Sequence, residues 1–186
     1  TANVSAGTSI FAMVVLERAL ETASPDIDIV TTPDGSPVAM VHCNNGSSEL
    51  ATWAGVLSEF ATAIGASPTS DEVFAALLGG ALDAAAADDG LLAYNLLSGE
   101  PIVGTAEGRP LVVRTPGSRL SLAGFGRAQL FSVFAALAIG MRELAAQNVA
   151  LDTVVAHGGL FRTGGVAQRA LAASLGTAVA VGETAS

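Results

Sequence analysis

The sequence predicts an α/β domain in which an antiparallel β meander leads, after a long middle section, into alternating helix and strand. Two observations carry this. Val4, Ile10, Phe11, Val14, Val15 and Leu16 crowd the beginning of the chain, punctuated by Gly7 and Thr8, the pattern of two strands and a tight turn. From Gly126 onward the chain reads helix, strand, helix, strand, the order of a parallel sheet with crossover helices. A chain of 186 residues that is 51% apolar and 13% charged has the material for a packed core and the length of one domain.

Taken in order, residues 3–6 and 9–17 are strands joined by a two-residue turn with Gly7 first. Residues 36–43 form a third strand after the turn PDGS at 33–36, paired with residues 28–32. A helix follows. Leu50, Trp53, Ala54, Leu57, Phe60, Ala61 and Ile64 recur at helical spacing as one core stripe. Ser47 or Ser48 caps its start, Glu49 sits in its first turn, and Gly65 ends it. Thr69 and Glu72 have capping-box spacing and open a second helix to about Ala87, with Gly79 and Gly80 as weak points. Residues 88–123 read as a short strand running into a loop, then a hairpin or irregular crossing. Residues 126–147 form one long helix, apolar on most faces and so buried between layers. DTVVAH is a strand, GGVAQRALAASLG a helix stopped by Gly176, and TAVAVGE a last strand.

Seventeen acidic against eight basic residues give a formal charge of −9. That balance excludes a basic nucleic-acid footprint and attraction to an anionic membrane. All eight basic residues are arginine. Without lysine there is no Walker-type phosphate loop, no Schiff-base lysine and no pyridoxal lysine. Cys43 is the single cysteine, which rules out an internal disulfide and suggests a reducing, cytoplasmic setting. One Cys and two His make no structural zinc site. The apolar run between Arg127 and Arg142 is too short to span a bilayer.

Several residues have two readings. His157 is a strand-end structural histidine rather than a general base, since no nucleophile motif accompanies it. Cys43 is a small buried apolar residue. Asn44 and Asn45 are a polar strand end before a helix cap, the alternative being a sugar contact. Asp88, Asp89 and Glu100 are solvated loop acids, the alternative being a metal site. The turn at Gly7 and the pair Gly158 and Gly159 could each be only a tight turn, or backbone left bare for a ligand.

Four stretches bear on that choice. SAGTSIFAMVVLE (5–17), LLAYNLLSGE (91–100), RAQLFSVFAALAIGM (127–141) and VVAHGGLFRTGGVAQRALAASLGTAVAV (154–181) follow one another in this order. Together they resemble the C-terminal domain of the FGGY carbohydrate kinases, within the actin-like and sugar-kinase ATPase superfamily, with a texture similar to the xylulose-kinase-like (pentulose kinase) members. The resemblance implies a ribonuclease-H-like α/β domain over residues 1–186: an antiparallel three-strand meander extended by parallel strands with helices, plus a helical insertion at about 45–122. It implies the nucleotide side of a kinase that moves the γ-phosphoryl of ATP, with Mg2+, to a sugar hydroxyl. Gly7, Thr8 and Ser9 would meet the phosphates. Gly158, Gly159, Leu160 and Gln168 would surround the adenosine. A Gly-Thr turn suits the first role, because backbone N–H groups and a hydroxyl bind phosphate without lysine.

The partners implied are ATP, a pentulose-type sugar and an N-terminal kinase domain, with a homodimer left open. The departures from the family pattern matter as well. The family's aspartate base lies shortly before the Gly-Thr turn, whereas residues 1–6 contain no acid. The acidic residue of the long-helix motif is missing, Leu160 stands where a third glycine is common, and no final helix follows the last strand. The expectation is one domain of a longer kinase, without its catalytic base and with apolar surface uncovered on the long helix. The alternative is a non-catalytic actin-like ATPase module or assembly domain.

Overall fold

A computed structural model of the chain describes residues 1–83 and 90–182. Its centre is a six-stranded mixed sheet. The strands are β1 (Ala2–Ala6), β2 (Ile10–Val15), β3 (Asp28–Thr31), β4 (Pro37–Cys43), β7 (Val154–His157) and β8 (Val179–Val181), in the order β3-β4-β2-β1-β7-β8. β1, β2, β4 and β3 pair antiparallel, and β1, β7 and β8 pair parallel. The meander therefore has a fourth strand, β3, whose residues are all exposed at the sheet's edge.

Alternation along the strands decides which face is covered. Ala2, Val4 and Ala6 of β1, Ile10, Ala12 and Val14 of β2, Val41 and Cys43 of β4, and Val154 and Ala156 of β7 are buried on one face. Their neighbours Ser5, Phe11, Met13, Met40 and Val155 are only half-buried on the other. Period-two alternation is how a sheet with one packed face reads.

The covering helices are α3 (Leu122–Ala146) and α4 (Val166–Leu175). α3 is long and apolar enough to cross a membrane, yet Leu130, Val133, Phe134, Leu137, Met141 and Leu144 are buried in the core. It starts a turn earlier than the apolar run suggests, because the Ser121 hydroxyl accepts the Gly124 N–H at 3.0 Å and caps it. Its large apolar side chains left exposed are Leu122 and Ile139, so it does not carry the uncovered face expected of it.

Between β4 and α3 lie α1 (Ser48–Ala63), α2 (Ser70–Leu78) and a two-stranded antiparallel sheet of β5 (Leu91–Tyr94) and β6 (Leu111–Arg114). The insertion is thus part helix and part hairpin. The Thr69–Glu72 capping box forms as read. α2 stops at Leu78, before the glycine pair, rather than at Ala87; residues 84–89, including Asp88 and Asp89, lie outside the described residues. The α1 stripe is only half core. Leu50 and Ala54 are buried, but Phe60 and Ile64 are 63% and 68% exposed. The helix runs past the body it packs on, so its C-terminal half presents apolar side chains to solvent. So does the hairpin, through Leu92, Tyr94, Leu111 and Val113.

Candidate functional site

The register places four chain connections on one edge of the sheet. Ala6 pairs with Ile10, Ile10 with Cys43, Ser5 with His157, and Ala156 with Val181. The carboxyl ends of β1, β4, β7 and β8 therefore lie side by side. Ligands of open α/β sheets bind beyond the carboxyl ends of the strands. The connections leaving this edge are residues 7–9, 44–47 and 158–165, with Gly182 following β8.

Residues 7–9 join β1 to β2 as a three-residue turn, in which the Gly7 N–H donates to the Ser9 carbonyl at 2.9 Å. The turn is held from outside. The Gly46 N–H donates to the Thr8 carbonyl at 2.7 Å. The Ser47 N–H and hydroxyl both donate to the Gly7 carbonyl, at 2.8 and 2.9 Å. Ser47 stands at the N-cap of α1 but makes no side-chain cap, because its hydroxyl serves the turn instead. Gly46 is required here: a Cβ would overlap the Gly7 carbonyl oxygen and the Ser9 carbonyl. Among the described residues, the N–H groups and hydroxyls of Thr8 and Ser9 donate to no protein acceptor. Thr8 is exposed and Ser9 half-buried. The turn's carbonyls are all engaged within the protein, while the Thr8 and Ser9 donors have no protein acceptor among the described residues, a polarity that suits an anion.

The two glycines after β7 differ in what surrounds them. Gly158 has φ 111°, and a Cβ there would run into the Ala6 carbonyl oxygen. It is the tight turn, pressed against the end of β1. Gly159 has open space where a Cβ would stand and is exposed. It starts a 3-10 turn, Gly159–Arg162, anchored by buried Leu160 and Phe161, the latter stacked on Phe134 with ring centroids 6.3 Å apart. Leu160 is only 8% exposed, so its side chain serves the core. Gln168 sends its amide N–H to the Val179 carbonyl at 2.6 Å, which ties α4 to β8 beneath the 158–165 connection. The His157 ring lies against Gly182, where a Cβ would collide with it.

Behind residues 44–47 lies a polar cluster that the sequence did not disclose. Glu100 is fully buried, not a solvated loop acid. The reason is its donors: the Asn45 N–H at 3.1 Å and the Asn45 side-chain amide at 3.0 Å both reach its Oε2. Asn45 Oδ1 accepts the Ser98 N–H at 3.0 Å. Asn95 donates to the Gly46 carbonyl at 2.8 Å, and Asn44 to the Gly99 carbonyl at 2.8 Å. Burial first, and then the neighbouring Glu100 charge, push the Cys43 thiol from 9.0 up to about 12. Gly46, Ser47, Asn45, Asn95 and Glu100 were missed as a set. The available signal was a run of short polar residues, NNGSS, straight after a buried strand.

Among the described residues, no three His, Cys, Asp or Glu side chains gather as a metal site. The mixed sheet with its helical crossover, carrying a Gly-Thr turn after β1 and an exposed glycine after the adjacent parallel strand, is a domain of the actin and sugar-kinase ATPase fold. The model of the FGGY family of carbohydrate kinases, C-terminal domain, matches residues 2–186, and the chain belongs to that family. Solved structures of similar fold include a xylulose kinase from Rhodospirillum rubrum, with TM-score 0.72, 18% identity and 98% of this chain covered. A xylulose kinase from Bifidobacterium adolescentis gives TM-score 0.71 at 15% identity over 98% of the chain. Plasmodium falciparum glycerol kinase with ADP gives 0.63 at 12% over 99%. This chain covers 35%, 33% and 35% of those three chains, respectively, about a third of each. No curated protein matches the sequence.

Proposed function

We propose that the chain is the ATP-binding domain of an ATP-dependent sugar kinase acting on a ketopentose such as xylulose. The observation that carries this is the placing of two turns on adjacent parallel strands: unengaged donors at Thr8 and Ser9 and bare backbone at Gly159. In this reading Thr8 and Ser9 hold phosphate oxygens through N–H and hydroxyl donors. Adenosine lies along Gly159 and the backbone of Leu160, with Gln168 holding α4 in place beneath them. Phosphoryl transfer depends mainly on positioning and charge stabilisation, which suits a lysine-free turn. Magnesium neutralises charge on the phosphates when bound. With no carboxylate cage among the described residues, it would arrive on phosphate oxygens and water, as this ion commonly does.

The reading gives this domain nucleotide binding and assigns proton removal from the sugar to a group outside it. The companion N-terminal kinase domain would supply that group and the sugar contacts. Calorimetric titration with ATP and Mg2+ tests the proposal, with binding expected and competed by adenosine. No binding of either nucleotide or nucleoside at millimolar concentration would overturn it. The chain alone should release no ADP with a panel of pentuloses; turnover of about 1 s−1, the low end of ordinary enzymes, would show that it holds its own base.

A further inference from the structure

We infer that Asn45, Asn95 and Glu100 are positioning residues for the phosphate turn, acting from the insertion through residues 44–47 onto residues 7–9. The inference rests on the proposed nucleotide role of that turn. The route is continuous. Glu100 Oε2 accepts the backbone N–H and a side-chain amide N–H of Asn45, and Asn95 holds the Gly46 carbonyl. The Gly46 and Ser47 N–H groups then hold the Thr8 and Gly7 carbonyls. Every link is a hydrogen bond between segments about forty to fifty-five residues apart in sequence.

Two features mark this as more than scaffolding. Glu100 is fully buried and, among the described residues, its Oε1 has no partner, an arrangement that apolar side chains of similar volume commonly equal or exceed in stability. What a buried carboxylate adds is one defined geometry: Asn45 is fixed at its N–H, its amide and its Oδ1 together. A phosphate turn without lysine needs that definition. Its donors act only if already aimed before the ligand arrives.

The test uses the whole chain and the substitutions Asn45→Ala, Glu100→Ala and Glu100→Gln. ATP with Mg2+ and free adenosine are titrated separately, and amide hydrogen exchange is followed at residues 7–9 and 46–47. Asn45→Ala and Glu100→Ala should weaken ATP binding about tenfold, the effect of one well-placed hydrogen bond. Adenosine affinity should hold within about twofold, while exchange at 7–9 accelerates. Glu100→Gln keeps an acceptor for Asn45 and should restore near-normal ATP binding. Should Glu100→Ala fail to fold, Asn95→Ala, which frees only the Asn45 and Gly46 carbonyls, gives the same reading. Equal losses for ATP and adenosine, or unchanged ATP affinity beside a lower melting temperature, would overturn the inference alone. An unsubstituted chain that binds neither ligand would overturn the proposed function and this inference with it.

Discussion

The two turns on the carboxyl edge are fixed in opposite ways. The connection after β7 holds itself. Gly158 takes a conformation that only glycine adopts easily, and Leu160 and Phe161 plug the next residues into the core. The turn at 7–9 has no such anchor. Its own hydrogen bond is the one between Gly7 and Ser9, and the rest come from Gly46 and Ser47. One turn is therefore set by local backbone chemistry, the other by an insertion distant in sequence. A change that disturbs the first should act on stability; a change that disturbs the second should act on the geometry of the edge.

The largest effect should come from Gly158→Val. The new Cβ meets the Ala6 carbonyl oxygen at a φ of 111°, so steric and backbone strain act together. We expect a loss of about 2–4 kcal/mol, read as a lowered urea midpoint. A loss below about 0.5 kcal/mol, the range of ordinary surface changes, would mean that this turn is not self-fixed.

Cys43 reports on the other turn. It ends β4 directly before the clamp and is fully buried, with its thiol raised to about 12. At pH 8 roughly one molecule in 10⁴ carries the thiolate that reacts. Native labelling by a disulfide reagent should be slow, and Glu100→Ala should speed it by removing the adjacent negative charge and loosening residues 44–47. Gly158→Val, measured below its unfolding transition, should not. The same shift fixes a pH dependence. The folded thiol's value lies above the unfolded one, so its contribution to stability is complete below about pH 9 and is lost as pH rises toward 12. An unfolding midpoint that stays flat over that window would contradict the burial of Cys43.

This asymmetry also explains what the sequence could disclose. Elements set by local pattern were legible: the meander, α1, the capping box, the crossover helix α4 and its stop at Gly176. Both turns were legible too, because glycine beside a strand end is a local sign. The steric difference between Gly158 and Gly159 was not, since it depends on β1 lying alongside. Neither was Glu100, whose neighbours in sequence read as a solvated loop and whose partner is Asn45. The exposed half of α1 was hidden for the same reason: helical spacing shows which face is apolar, not how far the covering body extends.

Gly159→Val separates the two readings of the glycine pair. Gly159 has no left-handed φ, and nothing stands where its Cβ would be, so stability should change by less than about 1 kcal/mol. ATP and adenosine affinity should both fall on the order of tenfold, roughly 1.4 kcal/mol. That pattern is distinct from Asn45→Ala, which should spare adenosine. Undiminished nucleotide affinity would remove the adenosine assignment.

The smallest effect, Thr69→Ala, asks whether the clamp draws on the whole insertion or only on its polar cluster. Thr69 accepts the Glu72 N–H while Glu72 accepts the Thr69 N–H at 2.7 Å, far in sequence from residues 95–100. Losing a cap of this kind costs about 1 kcal/mol. The Thr69 backbone N–H, and then its hydroxyl, hold the Glu72 carboxyl below its ordinary value. The capping contribution is therefore present above that ordinary value and is lost as pH falls through the lower folded one. Thr69→Ala should flatten this acid dependence and shift the melting temperature by a few degrees. Hydrogen exchange at residues 7–9 should not change. If it accelerates, the turn at 7–9 is steadied by the insertion as one cooperative body, and the contrast between the two turns extends through α2 as well as through Glu100.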